Sequence, residues 1–304
     1  MACCGSVASY MDKLPSNSKS NPDSKYESQW LKLERGTIRY VRIGNLQAKD
    51  TVILMPDPPN TIEHMEELIS LLEPTFQVVA FEGVGFGYST ANFSYDFSLE
   101  HNADVIIELL EKLDVKRAIL ALTCIGALPG LIVANKYPEV ISGLVLGQTP
   151  SLDEAKIWAK RVDFKGVLGT PFIGQALLRV MRNKLSDIWY KNALPKKYDR
   201  KEYVAKTHLS FKQGARFSLA SAFQSFQRDK TPPSELIAQQ DAIIIWGGLD
   251  RSHKRTNKHS ILEMLPNGKV IELEDCAHFP DLEAADVFAQ AIFDVAEMSS
   301  STNA

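Results

Sequence analysis

Long apolar runs are missing from this 304-residue chain, and mean hydropathy is −0.13. No stretch reaches the roughly 18 apolar residues of a membrane-spanning helix, so no membrane span is expected. Cysteine is sparse. Cys3, Cys4, Cys124 and Cys276 fit neither a dense disulfide framework nor CxxC zinc spacing. A basic surplus is also lacking: Lys+Arg is 34, Asp+Glu is 37, and the formal net charge is −3. That balance argues against a dedicated nucleic-acid binder. The N-terminus has no basic n-region and no long apolar h-region, so no signal peptide is expected. Ala2 stands where a myristoylation pattern needs Gly. A reducing cytoplasm is the default compartment. Cys3 and Cys4 are candidate acylation sites. The plainer reading makes residues 1–28 a disordered tail, because 13–28 are rich in Ser, Asn, Lys and Pro.

What is present suits a soluble globular chain: 45% apolar and 23% charged residues, with length for one large domain or two small ones. Order should begin near Gln29. Trp30–Leu33 and Thr37–Ile43 alternate apolar with polar residues around Arg35-Gly36, which predicts a hairpin with one solvated face. Thr51–Met55 is a continuous apolar run, as in a doubly buried strand, stopped by Pro56-Asp57-Pro58-Pro59-Asn60. A helix follows over about Ile62–Leu72, then a buried strand over Phe76–Phe81 and the glycine-rich loop 82–89. Ser98 caps an amphipathic helix reaching Leu113. Ala118–Thr123 is a strand, Ile125–Lys136 a short helix and Ile141–Leu146 another strand.

This alternation implies a mostly parallel central sheet with helices on both faces. It stops over residues 151–230, which show helical patterns, many aromatics and no clear strand. It resumes with the strand 241–246, a helix around 258–265, the strand 269–273 and the helix 282–298. A helical insertion between strands of one sheet reads as a cap over the sheet's C-terminal edge, where open α/β sheets bind ligands. The expected organisation is therefore a core of 29–150 and 231–298, a helical cap of 151–230 before the last two strands, and a disordered tail of 299–304.

The ordered features resemble the α/β-hydrolase superfamily over roughly residues 29–298. They are the buried strand into the Pro-rich loop (Val52–Asn60), FEGVGFGYS (81–89), LALTCIGALPG (120–130), the cap-length insertion, WGGLD (246–250) and CAHFPDLE (276–283). That family writes its nucleophile turn G-x-S-x-G and follows it with an acid and then a His. The resemblance puts Cys124 at the nucleophile position, Asp250 at the acid and His278 at the base. It implies a Cys-His-Asp triad, similar in type to that of dienelactone hydrolases. The helix after Cys124 favours a thiolate at its N-terminus, and a neighbouring His favours it further. Ile125, Pro58 and Thr123 form the expected oxyanion and substrate-binding set.

Three departures bear on the chemistry. Leu122 replaces the small residue that normally opens the crowded turn. Pro56-Asp57 replaces the family's His-Gly, so the position of one oxyanion donor falls on Pro58, which has no N–H. A shift in the loop would bring the Asn60 amide into play instead. Glu82 stands where relatives often carry Asp, and reads as a loop stabiliser. The Ile125 amide remains as a donor, and losing one such donor typically costs about 10²–10³ in rate.

Other candidates read as structural. His64 and His101 belong to surface or packing positions on the first two helices. His208 lies in the cap. His253 and His259 sit in a solvated basic stretch. Cys276 packs. The glycines at 83, 85 and 87 lack the GxGxxG form, so no dinucleotide is implied. Trp158, Phe164, Phe172, Trp189, Tyr190, Phe211, Phe217, Phe223 and Phe226 pack the cap, and some line the pocket. A substantially apolar small-molecule substrate follows. No metal or organic cofactor is implied, because His and acidic residues do not cluster at ligand spacing. The sequence leaves oligomeric state open. Three functions fit: a hydrolase or acyltransferase acting on an ester, lactone or thioester; a non-hydrolytic isomerase, lyase or cyclase using His278–Asp250 as general base; and a catalytically inactive ligand-binding member.

Overall fold

A computed structural model describes residues 2–13, 22 and 24–301. In chain order the elements are α1 (Ala2–Lys13), β1 (Gln29–Lys32), β2 (Gly36–Gly44), β3 (Thr51–Leu54), α2 (Glu66–Leu72), β4 (Gln77–Phe81), β5 (Phe86–Gly87), β6 (Thr90–Ala91), α3 (Leu99–Lys112), β7 (Ala118–Thr123), α4 (Ala127–Lys136) and β8 (Ile141–Gly147). Then come α5 (Leu152–Val162), α6 (Ile173–Ala193), α7 (Arg200–Lys212), β9 (Arg216–Phe217), α8 (Leu219–Arg228), β10 (Ala242–Gly247), β11 (Gly268–Leu273), α9 (Pro280–Glu283) and α10 (Ala285–Ser301). Among the described residues no helix is long and apolar enough to cross a membrane.

The main sheet runs β1-β2-β4-β3-β7-β8-β10-β11, with β6 added against β2. Pairs from β4 to β11 are parallel, and β2 is antiparallel to both β1 and β4. This is the mostly parallel sheet with flanking helices that the strand–helix alternation predicts. Its central strands are predominantly apolar, as suits a sheet covered on both faces. Ile53 and Val79 pack on one face while Val52, Leu54, Val78 and Ala80 pack on the other. The first face receives α3, whose buried Leu99, Ala103, Ile106 and Leu110 recur at helical spacing. The second receives α2 and α10. Each large aliphatic side chain so buried contributes about 1.5–3 kcal/mol.

In register, Leu54 lies beside Ala121, Thr123 beside Gly147, and Gly247 beside Leu273. The loops leaving β3, β7, β8, β10 and β11 therefore emerge along one sheet edge. Between β8 and β10 the chain adds α5–α8 and no strand to the main sheet.

Several expectations change. The tail expected over 1–28 begins instead as α1, which packs against α8 and α6. Its anchors are long-range: Ser221 Oγ donates to Asp12 Oδ2 at 2.5 Å, and Ala8 is fully buried. The side chains of Cys3 and Cys4 and the stretch 14–21 lie outside the described residues. At the other end α10 continues to Ser301, and 302–304 lie outside the described residues. A two-residue strand does occur within 151–230: β9 pairs with β5. The helix expected around 258–265 shrinks to a single 3₁₀ turn, Ser260–Glu263. Finally, β2 has no solvated face at Arg39. That side chain is fully buried, with Nη1 3.0 Å from Glu82 and Nη2 2.5 Å from Glu63.

Candidate functional site

The chain passes from β7 through the 3₁₀ turn Cys124–Gly126 into α4. This turn holds Cys124 at φ +54°, a conformation unfavourable for a residue with a Cβ. Strain of this kind persists only where packing over-determines it. Here Gly126 and Gly130 make room. A Cβ on Gly126 would come within 2.7 Å of Met55, and one on Gly130 within 2.5 Å of Leu122 Cδ1. The bulk of Leu122 in the turn is thus accommodated by the absent side chain of Gly130.

His278 follows β11 and is fully buried. Its loop is held by Glu283, whose carboxylate accepts the amides of Ala277 and Phe279, each at 2.9 Å. Its own amide donates to Ala193. Nδ1 meets Asp250 Oδ2 at 2.6 Å. Asp250 follows β10, and three further donors fix it: Gln148 Nε2 at 2.9 Å, Ser252 N at 2.7 Å and Ser252 Oγ at 2.8 Å. Gln148 also accepts the Gly247 amide, at φ +50°. The structure thus brings Cys124, Asp250 and His278 together.

A fourth group joins them. Asp57 Oδ2 lies 3.3 Å from His278 Nε2, yet Nε2 makes no aligned hydrogen bond to any described residue. Asp57, Cys124 and His278 each present one donor atom within 4.8 Å of the other two; Asp250, His253 and His278 do the same. These two sets could hold a metal. Spacing along the chain hid the first, whose residues sit on three separate loops. In the second, Asp250 and His253 share the loop after β10 and His278 joins them from the loop after β11.

The charges set the protonation. Burial alone pushes the Asp250 carboxyl up, but His278 outweighs it and Asp250 is lowered to about 2. Burial pushes His278 down, and the charges of Asp250 and Cys124 with the hydrogen-bonding capacity of Asp250 and Asp57 carry it well above its usual value. The Cys124 thiol is raised, first by burial and then by the charge of Asp57, against smaller opposing effects of His278 and the Ile125 amide. The thiolate favoured by the helix terminus and the neighbouring His is outweighed. Burial also raises Asp57, opposed by His278.

Cys124, Ile125, Asp57 and Pro58 lie at one side of a cavity of about 560 Å³. Its other walls are mainly apolar: Met55, Phe86, Val105, Leu168, Leu178, Trp158, Trp189, Phe217, Phe223 and Phe226. Thr123, expected beside the oxyanion donors, does not line this cavity. It is buried with its methyl turned toward Gly147, because strand alternation points it away. The Asn60 amide is engaged by Asp57 O at 3.0 Å, so the alternative donor is consumed within the loop. Pro58 and Pro59 have no N–H, and the Ile125 amide remains.

His253 is buried rather than solvated. It stacks on Trp158 at 4.7 Å and meets the edge of Trp246, and neither ring nitrogen has a partner among described residues. Burial lowers it to about 3, which keeps it neutral. His64 is buried and accepts the Thr61 amide, His101 pairs with Asp96, and His208 pairs with Asp187. Cys276 is buried and lies off the cavity wall. Glu82 accepts the Tyr88 amide at 2.6 Å and the guanidinium of Arg39, and a Cβ on Gly87 would strike its carboxylate at 2.3 Å. Among the cap aromatics, Phe172 is exposed, Tyr190 donates to Asn60, and the side chain of Phe164 lies outside the described residues. Sequence reasoning passed over Asp57, Gln148 and Glu283. The signal for Asp57 was an acidic residue in a loop at the sheet's C-terminal edge. Gln148 carried none, since its partners are distant in sequence, whereas Glu283 closes the 276–283 segment and lies only four and six residues beyond the amides it accepts.

Comparison with known proteins agrees with this architecture. The chain is 24% identical over 282 residues to a cis-3-alkyl-4-alkyloxetan-2-one decarboxylase of Shewanella oneidensis, covering 86% of this chain and 85% of that protein. It is 24% identical over 281 residues to haloalkane dehalogenase 2 of Mycobacterium tuberculosis, covering 88% and 94%. Among solved structures, the Bacillus megaterium epoxide hydrolase superposes with a TM-score of 0.72 at 18% identity, covering 88% of this chain and 100% of that one. A haloalkane dehalogenase from Bradyrhizobium elkanii gives 0.71 at 15% identity, covering 92% and 99%. The family model described as alpha/beta hydrolase fold matches residues 59–285, and with that match over most of its length the chain belongs to the α/β-hydrolase fold family.

Proposed function

We propose that this protein is an enzyme that cleaves or transfers the acyl group of an apolar ester, lactone or thioester through Cys124, His278 and Asp250. The observation that carries the reading is Cys124 at φ +54° beside the 2.6 Å His278–Asp250 pair, on the wall of the apolar cavity. In the productive form His278 is neutral. The thiol sulfur bonds to the carbonyl carbon while its proton passes to Nε2, and the π pair moves to oxygen beside the Ile125 amide. Collapse expels the leaving group with that proton and leaves a thioester. Water or another acceptor then releases the acyl group and returns the thiol. We read residues 151–230 as the cap that excludes water, and a reducing cytoplasm as the compartment that keeps the thiol free.

Haloalkane substrates do not suit a thiol at this position. Displacement of halide by sulfur leaves a thioether, which water does not cleave. The Shewanella relative's name is that of a decarboxylase of a ring lactone with alkyl arms. A lactone of that kind matches both the acyl chemistry and the apolar walls.

A second reading, general-base chemistry on carbon, is favoured by one observation: Pro58, Pro59 and the engaged Asn60 amide leave the loop poor in oxyanion donors. One experiment separates the two. The protein is incubated with p-nitrophenyl esters and alkyl β-lactones, and Cys124 is examined by mass spectrometry for a covalent acyl group. An acyl adduct lost in Cys124→Ala supports the first reading. No adduct, with turnover surviving Cys124→Ala and lost in His278→Ala, replaces it with the second.

A further inference from the structure

Three loops with no common motif bring a thiol, an imidazole and a carboxylate to one point. Cys124 follows β7, Asp57 follows β3 and His278 follows β11, and their donor atoms lie within 4.8 Å of one another. His278 is fully buried, and Nε2 has no hydrogen-bond partner among described residues. Asp57 Oδ2 is 3.3 Å from that nitrogen but is not aligned with it as donor and acceptor.

We propose that Asp57, Cys124 and His278 form a binding site for a borderline-soft divalent cation of the Zn²⁺ type, beside the substrate cavity. The donor set is the first support. Sulfur and imidazole nitrogen with one carboxylate oxygen select Zn²⁺ over Mg²⁺ or Ca²⁺. Spacing is the second. A tetrahedral Zn²⁺ at about 2.0–2.1 Å from nitrogen and oxygen separates them by roughly 3.3 Å, and the Asp57–His278 separation is 3.3 Å. Orientation is the third. Asp250 occupies Nδ1 at 2.6 Å, which leaves Nε2 as the ligating atom, in the carboxylate–histidine–metal arrangement. Charge is the fourth. A thiolate and a carboxylate neutralise the ion, and the remaining Asp250 carboxylate keeps its hydrogen bonds to His278, Gln148 and Ser252. Asp57 and Cys124 both line the cavity, so the site borders it.

Loading forms metal–sulfur, metal–nitrogen and metal–oxygen bonds. It releases the Cys124 proton, and that of His278 where protonated, to solvent, with no change of oxidation state. The ion takes up both the nucleophile and the base of the proposed acyl chemistry, so binding shuts that chemistry off reversibly. The site itself rests on the geometry of three side chains and stands whether or not Cys124 attacks a substrate.

The test uses the full chain carrying Cys3→Ser, Cys4→Ser and Cys276→Ser, which leaves Cys124 as the sole thiol. Co²⁺ is titrated and the thiolate-to-cobalt charge-transfer absorption recorded. The expected result is saturation at one equivalent, bleaching by Zn²⁺, and loss of the band in Cys124→Ser. Asp57→Ala should weaken binding at least about tenfold, since even the loss of an outer-shell partner of a metal ligand typically costs about 10–100-fold. In the unsubstituted chain Zn²⁺ should protect Cys124 from iodoacetamide, a readout that needs no variant to fold. Absence of a saturable band, or a band indifferent to Asp57→Ala and His278→Ala, overturns the proposal. Acyl trapping in metal-free protein reads the nucleophile separately. An adduct without a cobalt band sinks the metal site alone, and a band without an adduct sinks the acyl reading alone.

Discussion

Asp57 Oδ2 stands 3.3 Å from His278 Nε2, while Asp250 Oδ2 stands 2.6 Å from Nδ1 of the same ring. One imidazole is therefore faced by a carboxylate at each nitrogen. That relationship decides how the site titrates, and it distinguishes this chain from a triad with one acid.

Asp57→Asn should make Cys124 more reactive at lower pH. Burial raises the thiol first and the Asp57 charge adds to it, so removing that charge lowers the thiol pKa. The same change removes one of the groups that raise His278 and frees the neutral, proton-accepting ring at a lower pH. The rate of iodoacetamide alkylation at Cys124 should climb through the alkaline range in the wild type. In Asp57→Asn the profile should move toward acid. A profile that stays in place would show that Asp57 does not control the thiol. His278→Ala should move it the other way, because the ring opposes the rise.

Much of this was legible in the chain. Thr51–Leu54, Gln77–Phe81, Ala118–Thr123 and Ile141–Gly147 are apolar runs that only a sheet covered on both faces can bury, and they are β3, β4, β7 and β8. Cys124, Asp250 and His278 could be placed because each follows a strand end in a known order. What stayed hidden depends on partners far away in sequence. Helix α1 is held by Asp12 to Ser221, and nothing near residue 12 announces it. His253 lies among Arg251, Lys254 and Arg255, yet its ring turns inward onto Trp158. Asp57 reads as a loop residue until the loop after β11 is laid beside it.

Stability should depend on pH through the His278–Asp250 pair. Asp250 is lowered to about 2 against burial. Its contribution is present above the unfolded value of about 3.9 and is lost as pH falls toward the folded one. His278 is raised, so its contribution is complete below about 6.5 and is lost as pH rises through the folded-state value. Thermal unfolding followed against pH should show a plateau between these limits. In Asp250→Asn both limbs should flatten. Equal slopes in variant and wild type would remove the pair from the pH response.

Glu283 should act as a positioning residue. Its carboxylate accepts the amides on either side of His278. Glu283→Ala leaves two amides without partners, at about 1–3 kcal/mol each where they remain dry. Under the proposed acyl chemistry kcat should fall with KM nearly constant, because the cavity walls are untouched while the ring loses its placement. Glu283→Gln keeps one acceptor and should recover part of the loss. A rise in KM without a change in kcat would assign Glu283 to substrate binding instead.

Leu122 and Gly130 should be energetically coupled. A Cβ on Gly130 would lie 2.5 Å from Leu122 Cδ1, too close for either to stay. Gly130→Ala should gain a few tenths to about 1 kcal/mol from helix propensity and lose about 1–3 kcal/mol to overpacking. The net change should therefore be destabilising. Leu122→Ala alone should cost about 2–5 kcal/mol, because its fully buried side chain leaves a cavity. In the double variant the new methyl enters space the leucine has vacated. The cost should then fall short of the sum by about 0.5–3 kcal/mol, the range for residues in contact. Urea unfolding of the four proteins measures that difference. Additive costs would mean that Leu122 is accommodated by something other than the missing side chain of Gly130, and that the turn holding Cys124 at positive φ owes nothing to the pair.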